Sequence, residues 1–161
     1  MNLITKLLPL THVVLDIDVS SKKRLFEQIG LLFENHSKIA LASVFESLFA
    51  REKLGSTGLG YGVAIPHGRI KSLREPLCAF VRVRSGLPFE SPDGEPVRLV
   101  FAMLVPEHAT ERHLHILSEL AQMFSEPEFR ESLLRCEDPA AAHCLLTQWS
   151  PHAPAQRTAA V

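Results

Sequence analysis

The sequence predicts an α/β fold, a mixed β-sheet of four or five strands flanked by helices on both faces as a three-layer sandwich. The segment VRLVFAMLV, Val97 to Val105, is apolar at both alternating sets of positions after Arg98, which is typical of a central strand covered from both sides. Two helical patterns precede this strand and three follow it. Helices on both sides of a fully apolar strand indicate three layers.

The first half of the chain begins with a short strand and two helices. VVLDI, Val13 to Ile17, is the strand candidate, and Ser20 or Ser21 can cap the helix that follows. That helix is indicated by apolar residues at helical spacing, namely Leu25, Ile29, Leu32 and Phe33. The second helix lies in LASVFESLFAREKLG, where the apolar stripe consists of Leu41, Val44, Phe45, Leu48 and Phe49. Gly55 stands where a left-handed C-cap is expected.

The second half adds two strands and the C-terminal helices. After a short strand at Val63 to Ile65, the segment LCAFVRVR, Leu77 to Arg84, is rich in strand-forming residues. SPDGEP, Ser91 to Pro96, predicts a turn before the central strand. The three helices are predicted at about residues 110–124, 128–136 and 139–149. We therefore expect one domain over residues 1–149 and a disordered tail, rich in proline and alanine, over residues 150–161.

Composition argues against several classes of function. Apolar residues make up 46% of the chain and charged residues 22%, which is typical of a folded soluble domain. The net charge of −1 argues against nucleic acid or an anionic membrane as a partner, because both require a concentrated basic face. We expect neither a signal peptide nor a membrane span. Cys78, Cys136 and Cys144 lie in apolar patterns, which predicts reduced core residues of a cytoplasmic protein.

The glycine run GSTGLGYG invites a nucleotide-binding interpretation, which the order of elements opposes. A dinucleotide site needs a strand, then glycines, then a helix, whereas here a helix precedes and a strand follows. Ser56 is a weak candidate nucleophile, because the Gly-x-Ser-x-Gly elbow is missing. The pattern favours a tight connection whose glycines supply positive φ angles.

The segment HATERHLH resembles metal-ligand spacing, but helix geometry argues against a metal site. His113 and His115 are two residues apart, so on a helix they point about 200° apart and cannot close on one ion. His115 falls on a polar helix face and is expected to be a surface residue. We therefore predict no metal and no cofactor.

His113 lies in register with Ile116, Leu117 and Leu120, at the edge of the buried helix face. If Thr110 is the N-cap, His113 is the third helical residue, in the first turn, where free N–H groups favour an anion. A packed or capping role is the alternative, and the local sequence leaves both open.

His67 stands in the segment GYGVAIPHGR between a proline and a glycine. Pro66 fixes its own φ and keeps Ile65 extended, while Gly68 leaves the far side of the histidine uncluttered. A rigid, accessible imidazole with a pKa near 6.5 can attack an electrophile at neutral pH without a separate base. A turn histidine bonded to the backbone is the alternative on local sequence alone.

Arg51 closes the second predicted helix. As a cation in the last turn, together with Lys53, it can complement the helix dipole without any further function. Its spacing of three from Leu48 also places it beside the apolar stripe, where it could reach inward and contact an oxyanion.

Two segments together resemble a known family. REKLGSTGLGYGVAIPHG, Arg51 to Gly68, and LVPEHATERHLHILSELA, Leu104 to Ala121, are similar to the fructose/mannitol-type IIA component of the bacterial phosphoenolpyruvate-dependent phosphotransferase system. Within that family they most resemble the nitrogen-regulatory IIA proteins. The similarity runs from about Asn2 to Trp149 and excludes the tail.

The resemblance implies a set of roles. His67 would accept a phosphoryl group from the phosphohistidine of an HPr-like carrier, His113 would orient or stabilise that group, and Arg51 would be the cation beside it. The resemblance also implies regulatory target proteins as partners. Two alternatives remain open: a IIA protein that donates to a IIB domain in sugar uptake, and a non-catalytic module whose glycine loop holds an anion.

Overall fold

The computed structural model describes residues 2–108 and 110–151, with Thr110 described by its backbone alone. In these residues a short 3₁₀ helix precedes five α-helices: α1 (Lys22–Ser37), α2 (Leu41–Leu54), α3 (Thr110–Phe124), α4 (Pro127–Arg135) and α5 (Pro139–Gln148). The strands are β1 (Val13–Ile17), β2 (Gly58–Gly60), β3 (Val63–Ala64), β4 (His67–Ile70), β5 (Leu77–Leu87) and β6 (Val97–Pro106). The predicted disordered tail lies, from residue 152 onward, outside the described residues.

The six strands form one mixed sheet in the order β1-β5-β6-β3-β2, with β4 also paired to β6. β5 and β6 run antiparallel, whereas β1 runs parallel to β5, and both β3 and β4 run parallel to β6. Because β3 and β4 follow one another along the same edge of β6, the chain between them stays in the sheet. The predicted mixed sheet with helices on both faces is confirmed, with β6 at its centre.

Alternate residues of the central strand supply two separate cores. Leu99, Phe101 and Met103 face a cluster shared with α3, α4 and α5. Val100, Ala102 and Leu104 face a second cluster shared with α1 and α2. All six side chains are nearly inaccessible to solvent. Burial on both faces is therefore the reason that this strand is apolar at every position after Arg98.

Side-chain caps begin two of the helices, whereas the predicted cap at the end of α2 is not formed. Ser21 caps α1 by accepting a hydrogen bond from the Arg24 N–H, as predicted, and Asp138 caps α5 in the same way. The predicted left-handed C-cap at Gly55 is wrong: its φ of 156° and ψ of 149° lie far from the left-handed helical region. With these angles, α2 is followed directly by an extended segment, without the left-handed residue that commonly ends a helix.

Two strands, β2 and β4, are absent from the sequence prediction. Both are short and contain glycine, and β4 begins at His67, so this histidine opens a strand rather than standing in a turn. The glycine run does supply positive φ, at Gly60 (95°) and Gly62 (78°), as expected. The run therefore makes the tight connection between β2 and β3.

The cysteines depart in part from their predicted burial. Cys78 is fully buried in β5, whereas Cys136 is half-buried and Cys144 is exposed. Cys144 lies on α5, where the inward face is formed by Ala142 and Leu146, so its position two residues from each turns it outward. Within the described part of the chain, no helix is both long and apolar enough to cross a membrane.

Candidate functional site

A cleft of about 860 Å³ lies between α2 and β4 and contains all three predicted site residues, Arg51, His67 and His113. α2 contributes Arg51, β4 contributes His67, and α3 contributes His113. The rings of His67 and His113 contact each other edge to face, with their centroids 5.4 Å apart and their planes at 60°. Residues that are 46 positions apart in sequence thus become neighbours because β4 pairs in register with β6, and β6 leads into α3.

His67 is fixed by backbone contacts on both sides. The Pro66 carbonyl accepts a hydrogen bond from the Met103 N–H of β6 at 3.0 Å, which anchors the start of β4. Nδ1 of the imidazole lies 2.8 Å from the Ile65 carbonyl oxygen. A carbonyl can only accept, so Nδ1 has the proton and Nε2 has the lone pair. Nε2 bonds to none of the described residues and is not among their buried unpaired atoms, so it opens to the cleft.

The pKa of His67 lies below the ordinary histidine value. Partial burial is the largest cause, since it disfavours the imidazolium cation, and the nearby charge of Arg51 acts in the same direction. The hydrogen bond to Ile65 and the negative charge of Glu52 oppose these effects without cancelling them. At neutral pH the ring is therefore neutral, with a nucleophilic Nε2.

His113 is half-buried on α3, as predicted from its register. The helix begins at Thr110, so His113 is its fourth residue rather than its third. Its pKa is lowered by burial first and then by the charges of His67 and Arg69. Nε2 of His113 is buried and has no hydrogen-bond partner among the described residues. His115 is exposed, as expected, and the described residues contain no group of three metal ligands.

Arg51 lies at the end of α2 and also lines the cleft. Its Nη1 donates a 2.8 Å hydrogen bond to the Gly55 carbonyl, just after the end of α2. The same side chain lines the cleft, and its charge is close enough to lower the pKa of His67. Capping a helix end thus holds the guanidinium beside the histidine.

Gly68 has a different role from the one expected. We interpreted it as leaving open access to His67, but Gly68 is buried, and a Cβ atom there would lie 2.1 Å from Oγ of Ser47. That interpretation is wrong, because the free side of Gly68 is occupied by α2. The glycine instead allows α2 to approach β4 closely, and Ser47 Oγ then donates a 2.9 Å hydrogen bond to the Arg69 carbonyl.

Glu52 is a residue of the site region that sequence reasoning missed. Its carboxylate is 6% exposed and accepts hydrogen bonds from the Thr57 hydroxyl at 2.6 Å, from the Thr57 N–H and from Lys22 Nζ at 2.9 Å. These bonds fix the GSTG segment against the end of α2. A carboxylate in the last helical turn opposes the helix dipole, and this mismatch was the available signal that Glu52 has a specific partner.

The sequence of this chain matches a known protein family. The family model described as "Phosphoenolpyruvate-dependent sugar phosphotransferase system, EIIA 2" matches residues 6–149. The chain belongs to this family. The resemblance inferred from the two sequence segments is therefore confirmed, and this IIA chain is a phosphoryl-transfer component of a phosphotransferase system.

Individual relatives refine the comparison. The nitrogen regulatory protein of Pseudomonas aeruginosa is 41% identical over 121 residues, which cover 74% of this IIA chain and 79% of that protein. The crystal structure of nitrogen regulatory protein IIA-Ntr from Neisseria meningitidis superposes with a TM-score of 0.86 at 54% identity, covering 91% of this chain and 100% of that one. The structure of IIA mannitol from Escherichia coli, at 20% identity and a TM-score of 0.71, covers 86% of this chain and 97% of that one and shares its fold.

Proposed function

We propose that this chain is a phosphocarrier that accepts a phosphoryl group on Nε2 of His67 from the phosphohistidine of an HPr-like carrier. In this reaction a P–N bond forms to Nε2 of His67 while the P–N bond to the carrier's histidine breaks. The observation that carries the proposal is the fixed tautomer of His67, because the Ile65 carbonyl leaves Nε2 unprotonated and open to the cleft. The lowered pKa of His67 supports it further, since the ring is neutral at the pH of transfer.

Arg51 and His113 are suited to hold the transferred group. The guanidinium of Arg51 has five N–H donors and uses one described bond, to Gly55, so donors remain for phosphoryl oxygens. The unpaired Nε2 of His113 can donate a hydrogen bond to another oxygen of the group, which removes the cost of a buried polar atom without a partner. Each such charge-assisted bond contributes about 1.5–3 kcal/mol.

Exposed leucines on α2 and α3, the helices that contribute Arg51 and His113, favour a protein as the phosphoryl donor. Leu54 lines the cleft and is 86% exposed, and Leu114, the residue after His113, is 61% exposed. An apolar rim around a recessed histidine suits a transient protein encounter. A solved complex of enzyme IIA mannitol with phosphorylated enzyme IIB mannitol, from Escherichia coli, contains a protein of the same fold, at 18% identity and a TM-score of 0.72. It illustrates the kind of protein pairing that we propose.

We assign the phosphocarrier to regulation rather than to sugar uptake. Nitrogen regulatory proteins match at 41% and 54% identity, each over most of both chains. The fructose-specific EIIABC component of Bacillus subtilis matches at 33% identity and supports the alternative, a IIA protein that donates to a IIB domain. Phosphorylation adds a charge of about −1.5 to −2, which can switch the affinity for a regulatory target. Both assignments require a cytoplasmic protein.

The direct test is phosphorylation in a reconstituted system. The protein is incubated with phosphoenolpyruvate, enzyme I and an HPr-type carrier, and its intact mass is measured before and after acid treatment. We expect one acid-labile phosphoryl group on the wild type and none on His67→Ala. Arg51→Ala and His113→Ala should slow transfer by about 10- to 150-fold, the equivalent of one charge-assisted bond. His115→Ala is the matched control, since His115 is exposed on the same helix.

Two results would contradict this proposal. If the wild type acquires no phosphoryl group, a non-catalytic anion-binding module becomes the better description. If His67→Ala still acquires one, the protein is phosphorylated at another residue and His67 is not the acceptor. If Arg51→Ala and His113→Ala lose melting temperature in proportion to transfer rate, their role is structural.

A further inference from the structure

We propose that Arg69 is a positioning residue for phosphoryl transfer, which joins the three elements of the site so that His113 stays against His67. The proposal rests on the proposed function, because it concerns the geometry in which that transfer takes place. Arg69 belongs to β4, two residues after His67, and lines the same cleft.

Strand geometry places Arg69 on the same side of β4 as His67. Successive side chains of a strand point to opposite faces, and in β4 the residues Gly68 and Ile70 are buried whereas His67 and Arg69 are accessible. Both side chains therefore point into the cleft. Arg69 pairs in parallel register with Val105 of β6, and Val105 also lines the cleft.

The side chain of Arg69 connects β4 to the segment that leads into α3. Its Nη1 donates a hydrogen bond to the Glu107 carbonyl. The last residue pair of the β4–β6 ladder is Ile70 with Pro106, so this bond extends the connection one residue beyond the sheet. Glu107 lies three residues before Thr110, where α3 begins. The bond therefore restrains the position of the start of α3, the helix that contains His113.

The backbone of Arg69 connects β4 to α2. Its carbonyl accepts the hydrogen bond from Ser47 Oγ at 2.9 Å. Ser47 lies one helical turn before Arg51 and on the same face of α2. Residue 69 of β4 thus contacts α2 through its backbone and the segment before α3 through its side chain.

Arg69 also acts electrostatically on one of the two histidines. The charge of Arg69 is one of the causes that lower the pKa of His113, whereas the cation that lowers the pKa of His67 is Arg51. Removing Arg69 should therefore raise the pKa of His113 and leave that of His67 close to its wild-type value.

The test combines steady-state transfer kinetics with NMR titration of the histidine rings. We compare Arg69→Gln and Arg69→Lys with Arg84→Gln, an exposed arginine of β5 at the opposite end of the sheet. With phosphorylated HPr-type carrier as donor, Arg69→Gln should lower kcat roughly ten- to one-hundredfold with little change in KM. Arg69→Lys should recover part of kcat, Arg84→Gln should behave as wild type, and the pKa of His113 should rise in Arg69→Gln alone.

Each result decides the proposal. Wild-type kcat in Arg69→Gln, or a raised KM with unchanged kcat, would overturn it while leaving His67 as the acceptor. An equal pKa change in both histidines would also overturn it. If Arg69→Gln does not fold, Arg69→Met, which keeps the aliphatic stem, is measured in the same way. A wild type that is not phosphorylated at all would overturn the proposed function and this inference with it.

Discussion

Replacing Gly68 with alanine forces a methyl group into space that α2 already fills. The new Cβ would lie 2.1 Å from Ser47 Oγ and 3.0 Å from the carbonyl carbon and oxygen of Ser47, where ordinary contact begins at 3.4 Å. The serine side chain can rotate away only by giving up its hydrogen bond to the Arg69 carbonyl. The backbone of Ser47 has no such freedom, so α2 must move away from β4.

The size of the effect follows from these two contacts. Loss of the Ser47 hydrogen bond lowers the free energy of unfolding by about 0.5–1.5 kcal/mol. Overpacking against a backbone lowers it by about 1–3 kcal/mol more. We therefore expect Gly68→Ala to lose about 2–4 kcal/mol, equivalent to a fall in melting temperature of roughly 5–15 °C for a domain of this size. Because Arg51 moves with α2, phosphoryl transfer should also slow by about tenfold.

Urea unfolding and phosphoryl transfer, measured on the same preparations, test this expectation. Ser47→Ala is the control, since it removes the hydrogen bond without adding a methyl group to β4. The double variant Gly68→Ala/Ser47→Ala should lose less than the two single losses together, because the nearest clashing atom is gone. Strict additivity, or a Gly68→Ala protein within about 0.5 kcal/mol of wild type, would refute the packing argument.

Two further predictions concern titratable groups that do not line the cleft. Buried His12 has a lowered pKa, mainly through desolvation, so the unfolded chain binds its proton first as the pH falls below about 6.5. The free energy of unfolding should therefore decrease from neutral toward acid pH, and urea titrations of His12→Gln should show a weaker decrease; an unchanged slope would exclude His12 as the cause. Glu52→Gln removes a negative charge that raises the pKa of His67. That pKa should fall further in NMR titration, and stability should drop by about 1–3 kcal/mol as the bonds to Thr57 and Lys22 weaken; a higher His67 pKa would contradict the assignment.

The parts of the fold that sequence predicted best are those in which hydrophobic periodicity is strong. α3 was predicted over the residues that form it, and the all-apolar segment from Val97 onward is the central strand. In both cases the burial of defined faces produces a pattern of apolar residues that can be recognised in the sequence. β2 and β4 show no such pattern, because each is at most four residues long. β4 also depends on pairing with β6, which is distant in sequence.

The candidate site divides in the same way. His67 was singled out by its local neighbours and His113 by its helix register, but only the β4–β6 pairing brings their rings together. The roles of Glu52 and Arg69 depend on hydrogen bonds to Thr57 and to the Glu107 carbonyl, which no spacing rule specifies. The role of Gly68 could not be predicted from sequence, because a glycine that leaves a histidine accessible and a glycine that allows close helix packing are the same residue in the same pattern.

The hydrogen bond from His67 Nδ1 to the Ile65 carbonyl has a consequence for proton movement in the proposed transfer. The carbonyl oxygen cannot take up the Nδ1 proton, so the ring keeps that proton both before and after the phosphoryl group arrives at Nε2. No proton has to enter or leave His67 in either direction of transfer. The ring therefore carries a positive charge while it holds the phosphoryl group, and that charge makes the neutral imidazole a good leaving group in onward transfer. His67 itself needs no general base.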